Sequence, residues 1–353
     1  MNHLLPGIIL VWTLNIFTSA VEQKKDETLT NIKFEFVELQ TNSDASIRGL
    51  FVVDENVIWA SGSGGTVLRS TDGGKNWIDV KVTGQTANDF RSIHAWDKNK
   101  ALVFGVAGPD FGFLTEDGGK SWKVVYKNAA HGAFFDSVKF SDSDTGLAVS
   151  DQIDGKPLLI KTTDGGKNWR KIENLPAVVD GEAHFAASNT CIEFLSSGKA
   201  WIATGGAAAR VFYSEDFGEN WELVTTPMIQ GKPSSGIFSI SFKNEREGVV
   251  IGGTYDKPEQ NKQIAAYTTD GGKNWISAKK MPDEYRSCAQ FVAGENESFF
   301  FAIGKTGCDL SADGGKNWSF LVETNYYTFR AVLGKLAGFV AGAEGRIARV
   351  EFN

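Results

Sequence analysis

The chain has 353 residues, 39 of them glycine, with 12% aromatic side chains, a composition that fits short strands joined by tight turns. Its formal charge of −7 argues against non-specific binding to nucleic acid. The length would suit two average domains, but an internal repeat overrides that prior.

Residues 1–20 read as a secretory signal. Residues 4–17 are apolar and Thr18-Ser19-Ala20 offers small residues for cleavage, although His3 and the amino terminus are the only positive charge in this segment. The apolar run is short for a spanning helix, so export to a periplasmic or secreted location is expected over a retained anchor. No cysteine follows the run, which argues against a lipoprotein, and no later stretch is apolar enough to span a membrane. Residues 21–31 read as a solvated leader and 32–353 as one folded domain.

Residues 32–39 alternate like a strand but have no local partner. Strand-like runs then come in groups of four, beginning with 47–53, 57–62, 66–70 and 77–82, followed by 91–96, 101–106, 113–115 and 122–126. The same phases return within 137–172, 191–224, 238–278 and 288–322. A last group, 328–333, 338–341 and 346–352, has only three strands. Between the third and fourth strands of each full group lies one copy of an octet, first seen as Ser70-Thr71-Asp72-Gly73-Gly74-Lys75-Asn76-Trp77. Its Asp and Trp recur as Asp117 and Trp122, Asp164 and Trp169, Asp216 and Trp221, Asp270 and Trp275, and Asp313 and Trp318. Successive box aspartates lie 45, 47, 52, 54 and 43 residues apart, the size of one four-stranded blade. If 32–39 supplies the missing strand, the ring closes with no long exposed edge. The expected fold is all-β: a seven-bladed β-propeller of four-stranded antiparallel blades, closed by the N-terminal strand completing the last blade.

Each octet reads as a self-locked corner. Its glycines supply positive φ, the Asp accepts backbone N–H groups of its own turn, and the Trp starts the next strand with a large apolar body. At these residues the chain resembles the Asp-box (BNR) repeat, S/T-x-D-x-G-x-T/S-W, of sialidases and many other β-propellers, with Asn mostly in place of the penultimate Thr or Ser. Turn chemistry explains all six aspartates, so a structural role is expected. The Gly-Gly-Lys runs lack P-loop spacing, and Asp-Gly-Gly-Lys-Asn lacks the ligand alternation of an EF-hand. Gly62-Ser63-Gly64-Gly65 leads into no helical pattern. No cofactor is expected. Cys191, Cys288 and Cys308 form no Cys-x-x-Cys pair; one disulfide with a free thiol, or three buried thiols, both fit.

The boxes mark one face, and function is expected on the other, where the loops enter each inner strand. There the repeats read Ile47-Arg48-Gly49, Phe90-Arg91-Ser92, Tyr285-Arg286-Ser287 and Phe329-Arg330-Ala331. Arg48, Arg91, Arg286 and Arg330 are therefore expected at the channel mouth, where clustered guanidinium groups suit an anionic ligand or glycan, or an acidic protein segment. The bland alternative pairs them with Asp89, Glu284 or Glu323. The loops 151–157 and 180–190 add Asp151, Glu182 and His184 as ligand-binding candidates, and His131 and His184 are expected to titrate near neutral pH.

Across the expected propeller the chain resembles the photosystem II stability/assembly factor-like propellers, some of whose bacterial members carry the label "oxidoreductase". The resemblance rests on the six boxes, the Asp151-Gln152-Ile153-Asp154-Gly155 loop, the 181–190 run and the inner-strand arginines. It implies a seven-bladed scaffold acting through protein or ligand binding, with an arginine-rich partner-contact patch that maps onto Arg48, Arg91, Arg286 and Arg330. A monomer is expected. No flavin, nicotinamide or metal signature supports the oxidoreductase label. The rival is a sialidase-like glycoside hydrolase on an anionic glycan. Its Arg-Ile-Pro motif is absent; Glu284 with Tyr285, or Glu323 with Tyr326, could mimic its Tyr–Glu pair, and Asp136, Asp151 and Glu182 are the candidate carboxylates.

Overall fold

A computed structural model describes residues 32–106, 110–128, 133–153 and 155–353. The expected signal and leader, His131 and Asp154 lie outside the described residues. Residues 32–353 form one compact unit of seven antiparallel sheets, one per blade. Among the described residues there is no helix, hence none long and apolar enough to cross a membrane.

The first blade runs Ile47–Val52, Ile58–Gly62, Val67–Ser70 and Ile78–Asp79 from channel to rim. The inner strands of the other blades are Phe90–Ala95, Phe135–Phe140, Ile192–Phe194, Ser235–Phe242, Cys288–Ala293 and Tyr326–Ala331. The last sheet is completed from the other end of the chain. Phe34–Leu39 pairs antiparallel with Ile347–Phe352, from Phe34 opposite Phe352 to Leu39 opposite Ile347. The ring therefore closes as expected, and the N-terminal strand covers an edge that would otherwise be open.

Apolar side chains fill the spaces between blades rather than one central core. Ile47, Leu50 and Ile58 of the first blade pack with Phe339 and Ile347 of the last. Trp59 and Val67 pack with Phe90 and Val103 of the second blade. Phe104 of the second packs with Phe135 and Val138 of the third. Each strand presents alternate side chains to the two neighbouring blades, so each blade is held on both faces. Cys191, Cys288 and Cys308 are all buried free thiols, the second of the two readings.

The octets form one hydrogen-bonded turn, repeated. In the first, Ser70 Oγ donates to Asp72 Oδ1 (2.9 Å), Gly74 N–H donates to Ser70 Oγ (2.9 Å), and Asn76 donates from its backbone to Oδ1 (2.9 Å) and from its side chain to Oδ2 (2.7 Å). Asp313 repeats the pattern with Ser311, Gly315 and Asn317. Gly73 and Gly74 have φ of 77° and 85°. In the divergent copy Phe217 takes the first position at φ 59°, an uncommon conformation for a side chain of that size. The Asn76 side-chain amide, then its backbone N–H, hold Asp72 below the usual carboxylate range. Equivalent bonds from Ser121 take Asp117 down to about 2.

Two segments depart from the expected layout. The turn-rich loop 151–157 is a hairpin extension in which Thr145–Ile153 pairs with Lys156–Thr163, and Asp151 bulges out between Ser150 and Gln152. The fifth blade has six strands instead of four, because Gly205–Gly206 pairs with its inner strand and Glu182–Ala183 pairs with Gly205–Gly206. Glycine makes that junction: a Cβ on Gly236 would sit 2.3 Å from the Gly205 Cα.

Candidate functional site

Five of the seven inner strands carry a β-bulge. The register shifts between Ile47 and Gly49, Phe90 and Ser92, Phe135 and Ser137, Ile237 and Ser239, and Tyr326 and Thr328. The residues skipped are Arg48, Arg91, Asp136, Phe238 and Tyr327. A bulge re-aims one side chain out of the pleat, and here four of the five reach one cavity at the strand-entry mouth of the channel. Its volume is about 340 Å³; Arg48, Arg91, Lys305, Tyr255, Tyr285 and Tyr327 line its sides, and Phe185, Ala186, Ala187, Phe238 and Ser287 complete it.

Arg48 stands with its Cζ 4.6 Å from the Tyr327 ring centroid, and no carboxylate pairs with it among the described residues. Burial, and then the charge of Arg91, lower its pKa. Arg91 donates from Nε to Asp89 Oδ2 at 2.7 Å and lies 5.3 Å from the Phe134 ring centroid. Lys305 Nζ donates to the Tyr255 carbonyl at 2.6 Å. Phe185 and Phe238 stack at 3.9 Å with planes 2° apart. Burial raises the Tyr285 phenol pKa, so it stays protonated. The cavity combines cationic groups with aromatic walls, and its lining contains no Asp or Glu.

The other two arginines lie elsewhere. Arg286 is fully buried and turns into its own blade, with Nε 2.6 Å from Asp309 Oδ2 and Nη1 on the Tyr285 carbonyl and Thr306. Asp309, not Glu284, is its partner, because a third-strand carboxylate inside the blade outcompetes the loop. Arg330 is three residues past the bulge position of its strand, which Tyr327 occupies. The resemblance of Phe329-Arg330-Ala331 to Phe90-Arg91-Ser92 is a register coincidence, and Tyr326-Tyr327-Thr328 is the true counterpart. Glu284 and Glu323 border a neighbouring open groove with Lys305, Asn325 and Arg346.

Asp151, Glu182 and His184 are placed behind the cavity and do not line it. Glu182 is buried; its Oε1 accepts from Thr204 (2.7 Å) and Arg210 Nε (3.1 Å), its Oε2 from the Val179 N–H, and Arg210 Nη2 closes the ion pair. His184 donates from Nδ1 to the Ala203 carbonyl (3.0 Å) and from its backbone to Asp151 Oδ1 (2.9 Å). Burial lowers its pKa. Asp136 is fully buried, and neither carboxyl oxygen has a hydrogen-bond partner within normal geometry. Burial, and then the nearby Asp151, push its pKa well up.

These residues support a plug. The 185–190 run passes into the channel and is tied to five blades. Asn189 Nδ2 donates to Ile93 O (2.8 Å), and its Oδ1 accepts from Val138 N–H (2.9 Å) and Ser137. Ser188 Oγ donates to Ser287 O (2.7 Å), the Thr190 carbonyl accepts from Ile240 N–H (2.9 Å), and the Ser188 carbonyl accepts from Thr328 and Arg330. Asn189 holds φ 57° at this turn. The plug forms the floor of the cavity through Ala186 and Ala187. Read from sequence alone, the run is a polar loop; its Ser-Asn-Thr content is the signal of a segment that bonds to exposed backbone.

A family model described as "Photosynthesis system II assembly factor YCF48" matches residues 10–114. The photosystem II assembly lipoprotein Ycf48 of Synechococcus sp. (strain CC9902) is 24% identical over 249 residues, 70% of this chain and 66% of that protein. A solved structure, "YCF48 bound to D1 peptide", superposes with a TM-score of 0.61 at 18% identity, covering 91% of this chain and 97% of the other. The chain is a seven-bladed β-propeller similar to the photosystem II assembly factors. It is also 24% identical over 246 residues to the vacuolar protein sorting/targeting protein 10 of Ajellomyces capsulatus (strain G186AR / H82 / ATCC MYA-2454 / RMSCC 2432). That match covers 64% of this chain but only 16% of the sorting protein's length.

Proposed function

We propose that this propeller is an exported binding or assembly module that receives a segment of a protein partner at the strand-entry mouth, where Arg48 and Arg91 take an anionic group of that segment. The observation that carries the reading is Arg48, a half-buried guanidinium at an aromatic-walled cavity with no carboxylate partner among the described residues. Such a group binds an anion more strongly than one already paired or fully solvated. The similarly folded YCF48 is seen with a D1 peptide, which supports a peptide as the class of ligand. Export rests on the character of residues 1–20.

A binding role is favoured over glycoside hydrolysis. Hydrolysis needs an acid and a base or nucleophile at the substrate, whereas Glu182 is committed to Arg210, Asp136 is enclosed, and the cavity lining holds no carboxylate. The test is calorimetric titration with acidic peptides and their amide counterparts. Arg48→Gln with Arg91→Gln should weaken acidic-peptide binding by about tenfold to a hundredfold without shifting Tm. Unchanged binding rejects the site, and turnover of a sialoside would install the hydrolase reading instead.

A further inference from the structure

The plug divides the channel, and beneath it, at the far ends of the inner strands, lies a second cavity of about 170 Å³. We propose that this cavity is a separate site for a small free monocarboxylate with a short apolar tail. Its polar lining comes from Lys139, Glu193, Gln290, Asn189 and Thr190, with Arg330 on one side, and its apolar lining includes Phe51, Val138 and Ile240.

The charges there do not cancel. Arg330 is 8% exposed. Its Nη1 donates to Phe329 O (2.7 Å) and Thr328 Oγ1 (3.0 Å), and its Nη2 to Ser188 O (2.8 Å) and Asn189 O (2.9 Å). Those bonds engage four N–H groups with neutral acceptors. The fifth, Nε–H, has no partner among the described residues, and no carboxylate forms an ion pair with this guanidinium. Glu193 is the one acid in the lining, and Lys139 holds it at 2.9 Å. Two cations against one anion leave the cavity one positive charge in excess. A buried charge without a counter-ion is costly, and a carboxylate seated there would offset that cost. The apolar strand-end side chains accept a short alkyl tail. This site is independent of the strand-entry cavity, since the plug stands between them and no lining residue is shared.

The probe is sodium propionate against sodium chloride at constant ionic strength, followed by calorimetry on the intact chain. Saturable one-to-one binding of propionate over the chloride background is expected. Lys139→Gln frees Glu193 to repel the ligand and should weaken binding about fivefold or more, while Glu193→Gln should tighten it by a similar factor. Both substitutions leave the Arg330 bonds to the plug intact, and saturable propionate binding should persist in Arg48→Gln. The proposal is overturned if propionate does not saturate beyond the chloride control, if Lys139→Gln binds as the parent does, or if Arg48→Gln abolishes binding and so moves the ligand to the other cavity.

Discussion

Arg330 Nη2 donates to the Asn189 carbonyl at 2.9 Å, joining residues 141 positions apart. The last blade thereby holds the plug that enters from the fourth. The planar fork of an arginine reaches two successive carbonyls, Ser188 and Asn189, together. Arg330→Lys cannot reproduce that geometry and should cost about 2 kcal/mol in urea unfolding, and Arg330→Gln about 3 kcal/mol. Variants within 0.5 kcal/mol of the parent would mean that the plug does not depend on this contact.

The closing strand makes a second prediction. Six residue pairs join Phe34–Leu39 to Ile347–Phe352, and Phe36 stacks with Tyr326 at 5.7 Å. Removing residues 33–39 strips one of the two ladders from Ile347–Phe352 and opens the ring. Tm should fall by on the order of 10 °C in one cooperative transition. An unchanged Tm would show that closure contributes nothing to stability.

The repeat was legible because turns demand particular residues. Asp72 and its five counterparts announce six of the seven blades, and the missing seventh box points to closure by 34–39. The strand-entry site was legible only in part. Arg48 and Arg91 sit at bulges whose pattern is an apolar residue, the aimed residue, then Gly, Ser or Thr. Applied consistently, that pattern selects Tyr327 over Arg330. The burial of Arg286 depends on Asp309, 23 residues onward, a pairing that no local pattern encodes. The plug was illegible for a similar reason: Ser188, Asn189 and Thr190 bond to five blades, and such contacts have no period.

Gly205 permits the plug to pack. A Cβ there would lie 2.2 Å from the Phe185 ring and 3.0 Å from the Gly236 Cα. Gly205→Ala should destabilise the domain by about 1–3 kcal/mol. Phe185→Ala removes the closer obstacle, so the double variant should lose measurably less than the two single losses combined. Strict additivity in denaturant melts would show that Phe185 does not limit the space at Gly205.

Asp136 gives stability a dependence on pH. It is enclosed near Asp151, Arg91 and Cys191, with Ala186 of the plug beside it. Burial first, and the Asp151 charge second, raise its pKa well above the usual carboxylate range. The folded protein therefore keeps this proton after the unfolded chain, with an ordinary aspartate near pH 4, has released it. Across that window the native state binds more protons than the unfolded state, so stability falls as pH rises from about 4 through the raised value and levels off beyond it. Asn fills the same space and cannot titrate. Asp136→Asn should match the parent near pH 4 and exceed it in Tm by a few degrees at pH 8, the gap opening only inside the window. A constant difference between pH 4 and pH 8 would mean that the carboxyl titrates alike in both states, and that its enclosure has no energetic consequence.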